Sequence, residues 1–447
     1  MDIEKVVLIY PKRDGRIWGK AHGSPYTLMR LASLVPDDIP VEIWDEDLAP
    51  LPLRRLGPHD LVGITSKTLS IDRARVIAGK IHERGSTVVV GGTHATLVPE
   101  EVKRWADITV VGEAYNSWPE IIRDVADDRP QPVYVDDSWS NLDGVARLTD
   151  RVIRMVGEHR HYWTPYMEIT RGCPRECSFC TAIRVSGRVM RRRPIDEVVE
   201  EIERRRIQRF FLTDDNFGLN FRTSPDYCEK LFEALARLNV NGWTAQAEMM
   251  VGDYPDLLAM ARRAHLDKLF IGFESIDDRN RRDLGGKSKG DTAEYKRIID
   301  AIHRHGIGVV GLFVLGLDGD TPEVFQNTWN FVRESGLDAV SFTIMTPYPG
   351  TELRKLYEQE GRLLPNVPWS QYDTAHVVFQ PAHMSTDQLR EGYDWICRLA
   401  YHPLAIARRG FRALRRQPHT HYQHRVFATF STDVGYRKMV SYRERAG

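Results

Sequence analysis

Three of the chain's 5 cysteines, Cys173, Cys177 and Cys180, fall within the single stretch GCPRECSFC. Their spacing is Cys-x3-Cys-x2-Cys. Thiolates are soft ligands suited to iron–sulfur clusters, which ordinarily take four of them. No fourth cysteine lies near in sequence, because Cys228 and Cys397 sit in helical patterns and read as buried thiols. A [4Fe–4S] cluster held by three thiolates leaves one iron open to a ligand from outside the chain. A structural zinc would call for a second Cys-x2-Cys pair or histidines at fixed offsets, and no histidine occurs between His161 and His265. Five cysteines so unevenly placed are also too few for a disulfide framework.

The elements that must position these thiols are α/β in pattern. From Tyr166 onward, short apolar strands and amphipathic helices alternate six times, with strands near 166–170, 210–214, 243–247, 268–274, 309–315 and 339–345. Six β/α units fall short of a closed eight-fold barrel, so a partial barrel is expected, with its chemistry at the strand ends. Before it, strands near 5–10, 41–45, 61–66, 87–91 and 107–111 are apolar throughout and separated by helices. That pattern is one of a doubly wound parallel sheet covered on both faces. The expected organisation is therefore a doubly wound domain over 1–130, a linker over 131–164, a partial barrel over 165–360 and a mostly helical region over 361–447.

The 447 residues contain 62 Lys+Arg and 62 Asp+Glu, so overall charge gives no argument for a nucleic-acid partner. The N-terminus lacks the apolar core of a secretory signal, and the longest apolar stretches, such as 307–317, are too short to cross a bilayer. A cytoplasmic protein without a transmembrane segment is expected. The basic helix around Arg408-Arg409 and Arg415-Arg416 reads as a solvated surface, with a groove for an anionic substrate or lipid headgroup as the alternative.

The cysteine motif, its place after the first barrel strand, and Phe179 before the last cysteine resemble the radical S-adenosylmethionine (SAM) superfamily. In that family the open iron chelates SAM, and an electron from the cluster splits SAM into methionine and a 5′-deoxyadenosyl radical. The resemblance runs from about 166 to 353. It implies that LTDDNFG places Asp214, Asp215 and Asn216 near the methionine ammonium. It likewise places Glu274 and Ser275 of IGFES near the ribose or carboxylate, and Gly316 of VLGLDGDT near the adenine. MTPYPGT resembles an adenine-side loop. Taken singly, these could be helix caps and turn residues.

The first domain resembles the cobalamin-binding domain of a subgroup that includes the anaerobic magnesium-protoporphyrin cyclase and the hopanoid and bacteriochlorophyll C-methylases. The resemblance implies corrin contacts from Thr65, Ser66, Lys67 and Thr68, from Gly91, Gly92, Thr93 and His94 in GGTHAT, and from Gly112 and Glu113. The Asp-x-His-x-x-Gly motif that supplies a cobalt-ligating histidine elsewhere is absent. His94 thus reads as a loop or corrin contact, and Lys67 as the residue facing cobalt.

Together these imply a cobalamin-dependent radical SAM C-methyltransferase. It would act on an unactivated carbon of a small-molecule, lipid or tetrapyrrole substrate and take electrons from a donor such as flavodoxin or ferredoxin. A cyclisation, rearrangement or oxidation without methyl transfer is the alternative. A cobalamin sensor would not need the cysteine motif, and a methylthiotransferase would carry further cysteines before Cys173. Trp243, Gln246 and Glu248 mark the expected substrate region, and HYQHRVFATF a possible donor or substrate surface.

Overall fold

A computed structural model describes residues 2–12, 23–136, 139, 141–144, 147–280 and 292–416. Two parallel sheets organise them. The first contains β1 (Lys5–Tyr10), β2 (Val41–Asp45), β3 (Asp60–Thr65), β4 (Thr87–Gly91), β5 (Ile108–Gly112) and β6 (Val133–Asp136), in the order β2-β1-β3-β4-β5-β6. Period-2 alternation sends neighbouring residues of β1 to opposite faces. Val6 and Leu8 join the core beneath helices Tyr26–Ser33 and Ser117–Ala126, while Val7 and Ile9 join the one beneath helix Ile71–His82. Burial on both faces explains why these strands are apolar throughout.

The stretch read as a linker is structured at both ends. Val133–Asp136 extends the first sheet as β6, and Leu148, Val152 and Val156 complete the core under helix Tyr26–Ser33. Short polar runs flanked by Asp and Pro hide this strand in the sequence. Its approach dictates Gly112: at φ +99°, a Cβ there would lie 1.9 Å from the Asp136 carbonyl oxygen.

The second sheet runs β7 (Tyr166–Met167), β10 (Arg209–Leu212), β11 (Gly242–Ala247), β12 (Leu266–Glu274), β13 (Gly308–Leu315) and β14 (Ala339–Ile344), all parallel and in sequential order. It is the open, six-stranded partial barrel that the alternation implies. Between β7 and β10 the chain makes a two-residue antiparallel pair, β8 (Thr170–Arg171) with β9 (Arg191–Arg192). This pair closes the base of the cysteine loop. Helix Thr386–Ala400 then lies along β14, the hydroxyls of its Tyr393 and of Tyr401 just after it donating to the carbonyls of Phe342 and Val340.

The two sheets are joined by a buried charge network. Arg30 reaches Glu168 at 2.5 Å, and Arg171 bonds both Glu168 (2.7 Å) and the Tyr115 hydroxyl (2.6 Å). Arg191 forks onto Glu113 at 2.8 and 2.5 Å. Arg205 grips Glu158 at 2.8 and 2.6 Å, and Arg193 and Arg205 share Glu201, which also accepts from Tyr26. Planar guanidinium forks match carboxylates bidentately, which is what such burial requires. Burial alone would raise the Glu201 pKa, but Arg193 and Arg205 outweigh it and hold the group at about 2, below its ordinary 4.5.

Arg205→Met would leave Glu158 and Glu201 buried with fewer cations. Breaking such a pair costs about 3–5 kcal/mol, read as a lowered urea midpoint. Because the Glu201 pKa is depressed, its stabilisation is present above pH 4.5 and lost as pH falls toward 2. The variant's acid-unfolding midpoint therefore moves to higher pH.

Candidate active site

Cys173 and Cys177 are buried and Cys180 is partly so. All three lie in the loop between β8 and β9, at the carboxyl end of the first barrel strand. Gly172 makes the loop possible. Its φ is +94°, and a Cβ would sit 2.2 Å from the Val189 carbonyl oxygen. The Cys173 N–H donates to Gly187 O (3.1 Å) and the Cys180 N–H to Cys177 O (3.1 Å). From the far side of the barrel, the Leu353 N–H donates to Ser178 O (3.0 Å), so the first turn of helix Glu352–Gln359, which follows MTPYPGT, braces the loop.

Among the described residues, no three His, Cys, Asp or Glu side chains converge as ligands of a single metal ion. Thiolates on one loop are the ligand type of an iron–sulfur cluster. Burial pushes the Cys180 thiol up to about 11, with Cys177 and Cys173 adding to it. A bound metal reverses that preference, since a coordinating thiol is deprotonated outright. Cys228 and Cys397 are 0% and 1% exposed, inert thiols of the barrel core.

The residues of LTDDNFG divide by role. Asp214 accepts from Ile169 N–H (2.9 Å), Thr170 N–H (2.8 Å) and the Thr170 hydroxyl (2.7 Å), so its carboxyl ties β10 to the entry of the cysteine loop. Burial raises its pKa to about 7 against those donors. Asp215 accepts from Gly172 N–H at 2.9 Å and steadies the loop itself. While the Asp215 carboxylate also acts on the Cys180 thiol, Asn216 lies against the first cysteine. Its Nδ2 lies 3.9 Å from Cys173 Sγ and 2.7 Å from Glu248 Oε1. Its Oδ1 is buried without a hydrogen-bond partner, an acceptor left open for a donor such as an ammonium.

Glu248 holds Arg175 of the cysteine loop by two bonds, at 2.8 and 2.5 Å. It thus positions the loop, where the sequence suggested a substrate contact. Trp243 is likewise core: it stacks on Phe210, and its Nε1 donates to Ala264 O at 2.7 Å. Glu274 sits at a β-bulge with φ +57° at the end of β12. The Ser275 hydroxyl is occupied by Asp277 N–H and Asn280 Nδ2, both at 3.0 Å, so Ser275 shapes its turn. Gly316 (φ +86°) is closed by Asp320 and faces the Leu389 side chain of the helix along β14. Phe179 packs on the barrel core.

In the first domain the expected residues cluster at the carboxyl ends of β3, β4 and β5, where doubly wound sheets bind ligands. The Ser66 N–H and hydroxyl both donate to Gly91 O at 2.8 Å. Gly92, at φ +96°, lies so close to Ser66 that a Cβ would come within 2.8 Å of its backbone. Exposed Lys67 reaches the Tyr10 hydroxyl (3.0 Å) across the switch between β1 and β3.

Four of the expected corrin contacts, Ser66, Thr68, His94 and Glu113, are buried. His94 is wholly buried, 3.3 Å from Thr68 Oγ1, beside Glu101 and edge-on to Trp369. Burial lowers its pKa, and it faces packed side chains rather than solvent. Glu113 turns toward the barrel, where Arg191 takes both its oxygens. Trp369 in turn donates to Glu101 at 3.0 Å and lines an interdomain cleft of ≈ 350 Å³ with Leu97, Gly350 and Arg354. Helix Thr93–Leu97, which carries GGTHAT, packs against helix Ala182–Val185, which follows Cys180. The two motif loops are therefore neighbours.

Residues 167–332 match the family model of the Radical SAM superfamily, so this part of the chain is a radical SAM domain. Over 418 residues it is 28% identical to the bacteriochlorophyllide d C-12(1)-methyltransferase of Chlorobaculum tepidum, covering 91% of this chain and 89% of that protein. The hopanoid C-2 methylase of Rhodopseudomonas palustris is 24% identical over 76% of this chain and 65% of its own length. Among solved structures, the radical SAM methyltransferase TsrM of Kitasatospora setae superposes with a TM-score of 0.70 at 17% identity, covering 99% of this chain and 100% of its own. The cobalamin-dependent radical SAM enzyme OxsB gives 0.66 at 13% identity, over 98% of this chain and 72% of its own. Both sheets thus belong to one shared fold.

Cys177→Ala is expected to lose its iron while the apoprotein unfolds at the wild-type temperature. Gly172→Ala, with all three thiols intact, should lose most of its iron as well, measured by iron analysis after anaerobic reconstitution.

Proposed function

We propose that the chain is a cobalamin-dependent radical SAM C-methyltransferase acting on an unactivated carbon of a tetrapyrrole, lipid-like or other small-molecule substrate. The observation that carries this reading is the packing of the GGTHAT helix against the helix that follows Cys180. It draws a corrin-type loop and a cluster loop together across the domain boundary, where ligand pockets commonly form. The names of the relatives support methyl transfer as the outcome.

Cys173, Cys177 and Cys180 would hold the [4Fe–4S] cluster. The loops ending at Thr65, Ser66, Gly91 and Gly92 would meet the corrin, with backbone donors brought close by residues that lack bulk. When bound, the cluster supplies the electron that cleaves SAM, and cobalamin carries the methyl group. The chain's own part is positional. Asn216 Oδ1 would accept from the ammonium of SAM, with Glu248 fixing both Asn216 and Arg175. Asp214 and Asp215 act behind that surface, through the backbone of the loop. An electron donor such as flavodoxin or ferredoxin would reduce the cluster.

Anaerobic reconstitution with iron, sulfide and hydroxocobalamin, followed by desalting, should retain about four irons and near-stoichiometric cobalt. Incubation with methyl-deuterated SAM and a bacteriochlorophyllide panel should transfer the label to carbon. Iron without cobalt would contradict the cobalamin reading. An unlabelled ring-closed or oxidised product would favour the chemistry named for the anaerobic magnesium-protoporphyrin IX monomethyl ester cyclase of Rubrivivax gelatinosus, 24% identical over 74% of this chain. Asn216→Leu should keep its iron yet bind SAM about tenfold more weakly, the cost of one hydrogen bond to a charged group.

A further inference from the structure

The last described helix, Pro403–Arg416, has two faces with different fates. Its inner face is consumed by the fold: Ile406, Arg409 and Ala413 are 5%, 3% and 8% exposed, and Arg409 donates to Ala400 O at 2.6 Å. Its outer face carries Leu404, Arg408, Phe411 and Arg415, at spacings of four, three and four residues, which is one stripe of an α-helix. Leu404 is 74% and Phe411 64% exposed. No hydrogen bond or ion pair from Arg408 or Arg415 to a carboxylate occurs among the described residues, and the helix has no acidic residue at all. From 403 to 447 the sequence has 10 Lys+Arg against 2 Asp+Glu, in a chain whose totals are equal.

We propose that this outer face docks on an anionic lipid bilayer. Large apolar side chains interleaved with arginines on a single exposed stripe are the composition of a helix that lies in the membrane interface: the rings and methyls enter the acyl boundary while guanidinium groups meet lipid phosphates. No helix of the described residues is long and apolar enough to cross a membrane, so the contact is peripheral.

The position of the helix favours a bilayer over an acidic electron-donor protein. Tyr401 contacts Val340 at the start of β14, and Arg412 donates to Arg333 O at the end of the preceding helix. Helix Pro403–Arg416 therefore sits at the amino-terminal end of the barrel strands. The cysteine loop lies at the opposite, carboxyl end. A donor bound at the stripe would stand a barrel's height from the cluster it must reduce, whereas a bilayer there leaves the cluster end uncovered.

Flotation of the reconstituted full-length protein with vesicles tests this. The protein should float with phosphatidylcholine–phosphatidylglycerol vesicles, remain in solution with phosphatidylcholine alone, and be released by added salt. Arg408→Glu/Arg415→Glu and Leu404→Ser/Phe411→Ser should each weaken the partition on the order of tenfold, with wild-type iron content and melting temperature. Absence of flotation, equal flotation on both vesicle types, or variants that bind as wild type would overturn the proposal. Flavodoxin binding that depends on Arg408 and Arg415, without vesicle binding, would overturn it in favour of a protein partner.

Discussion

Everything in this molecule depends on a set of arginines and glutamates buried where two parallel sheets meet. A buried charge is tolerated only when its partners replace the water it lost. Arg30, Arg171, Arg191, Arg193 and Arg205 satisfy that condition only while Glu113, Glu158, Glu168 and Glu201 are held opposite them. Glu113 comes from the first sheet, and Arg171 and Arg191 come from the strands at the base of the cysteine loop. The network therefore specifies one relative position of the sheets and one conformation of that base. Removing any single member strands its partner in low dielectric, which makes the interface intolerant of sliding.

From that constraint the site follows in order. β8 and β9 are pinned by Arg171 and Arg191, so the cysteine loop starts and ends at fixed points. Asp214 and Asp215 then anchor the loop's entry through backbone N–H groups, and Glu248 anchors its interior through Arg175. On the other side, the extreme proximity of Gly92 to Ser66 and of Gly112 to Asp136 sets the loops at the ends of β4 and β5. Two loops from different domains, each rigid for its own reasons, are brought into register by the charges beneath them.

The sheets and the thiols were legible in the sequence because their signals are local: an apolar run is a buried strand, and three closely spaced cysteines are three ligands on one loop. The long-range partners were not. Glu113 follows a strand-end glycine and reads like a ligand contact, yet its partner Arg191 lies 78 residues away. His94 sits in a glycine-rich loop typical of a binding surface, but a tryptophan from the C-terminal region covers it. Asp214, Asp215 and Asn216 are adjacent, and only the fold shows that the two aspartates tie down loop backbone while Asn216 lies buried beside Cys173. β6 escaped because four residues flanked by polar and proline-containing sequence carry almost no periodicity.

We propose that this interface between the two sheets holds a cluster site and a corrin site side by side. Electron paramagnetic resonance of the reconstituted protein, with the cluster reduced and the cobalamin in its Co(II) state, tests it most directly. The two paramagnetic centres are expected to interact, broadening and splitting each other's signals. Two unperturbed spectra that simply superpose would contradict it.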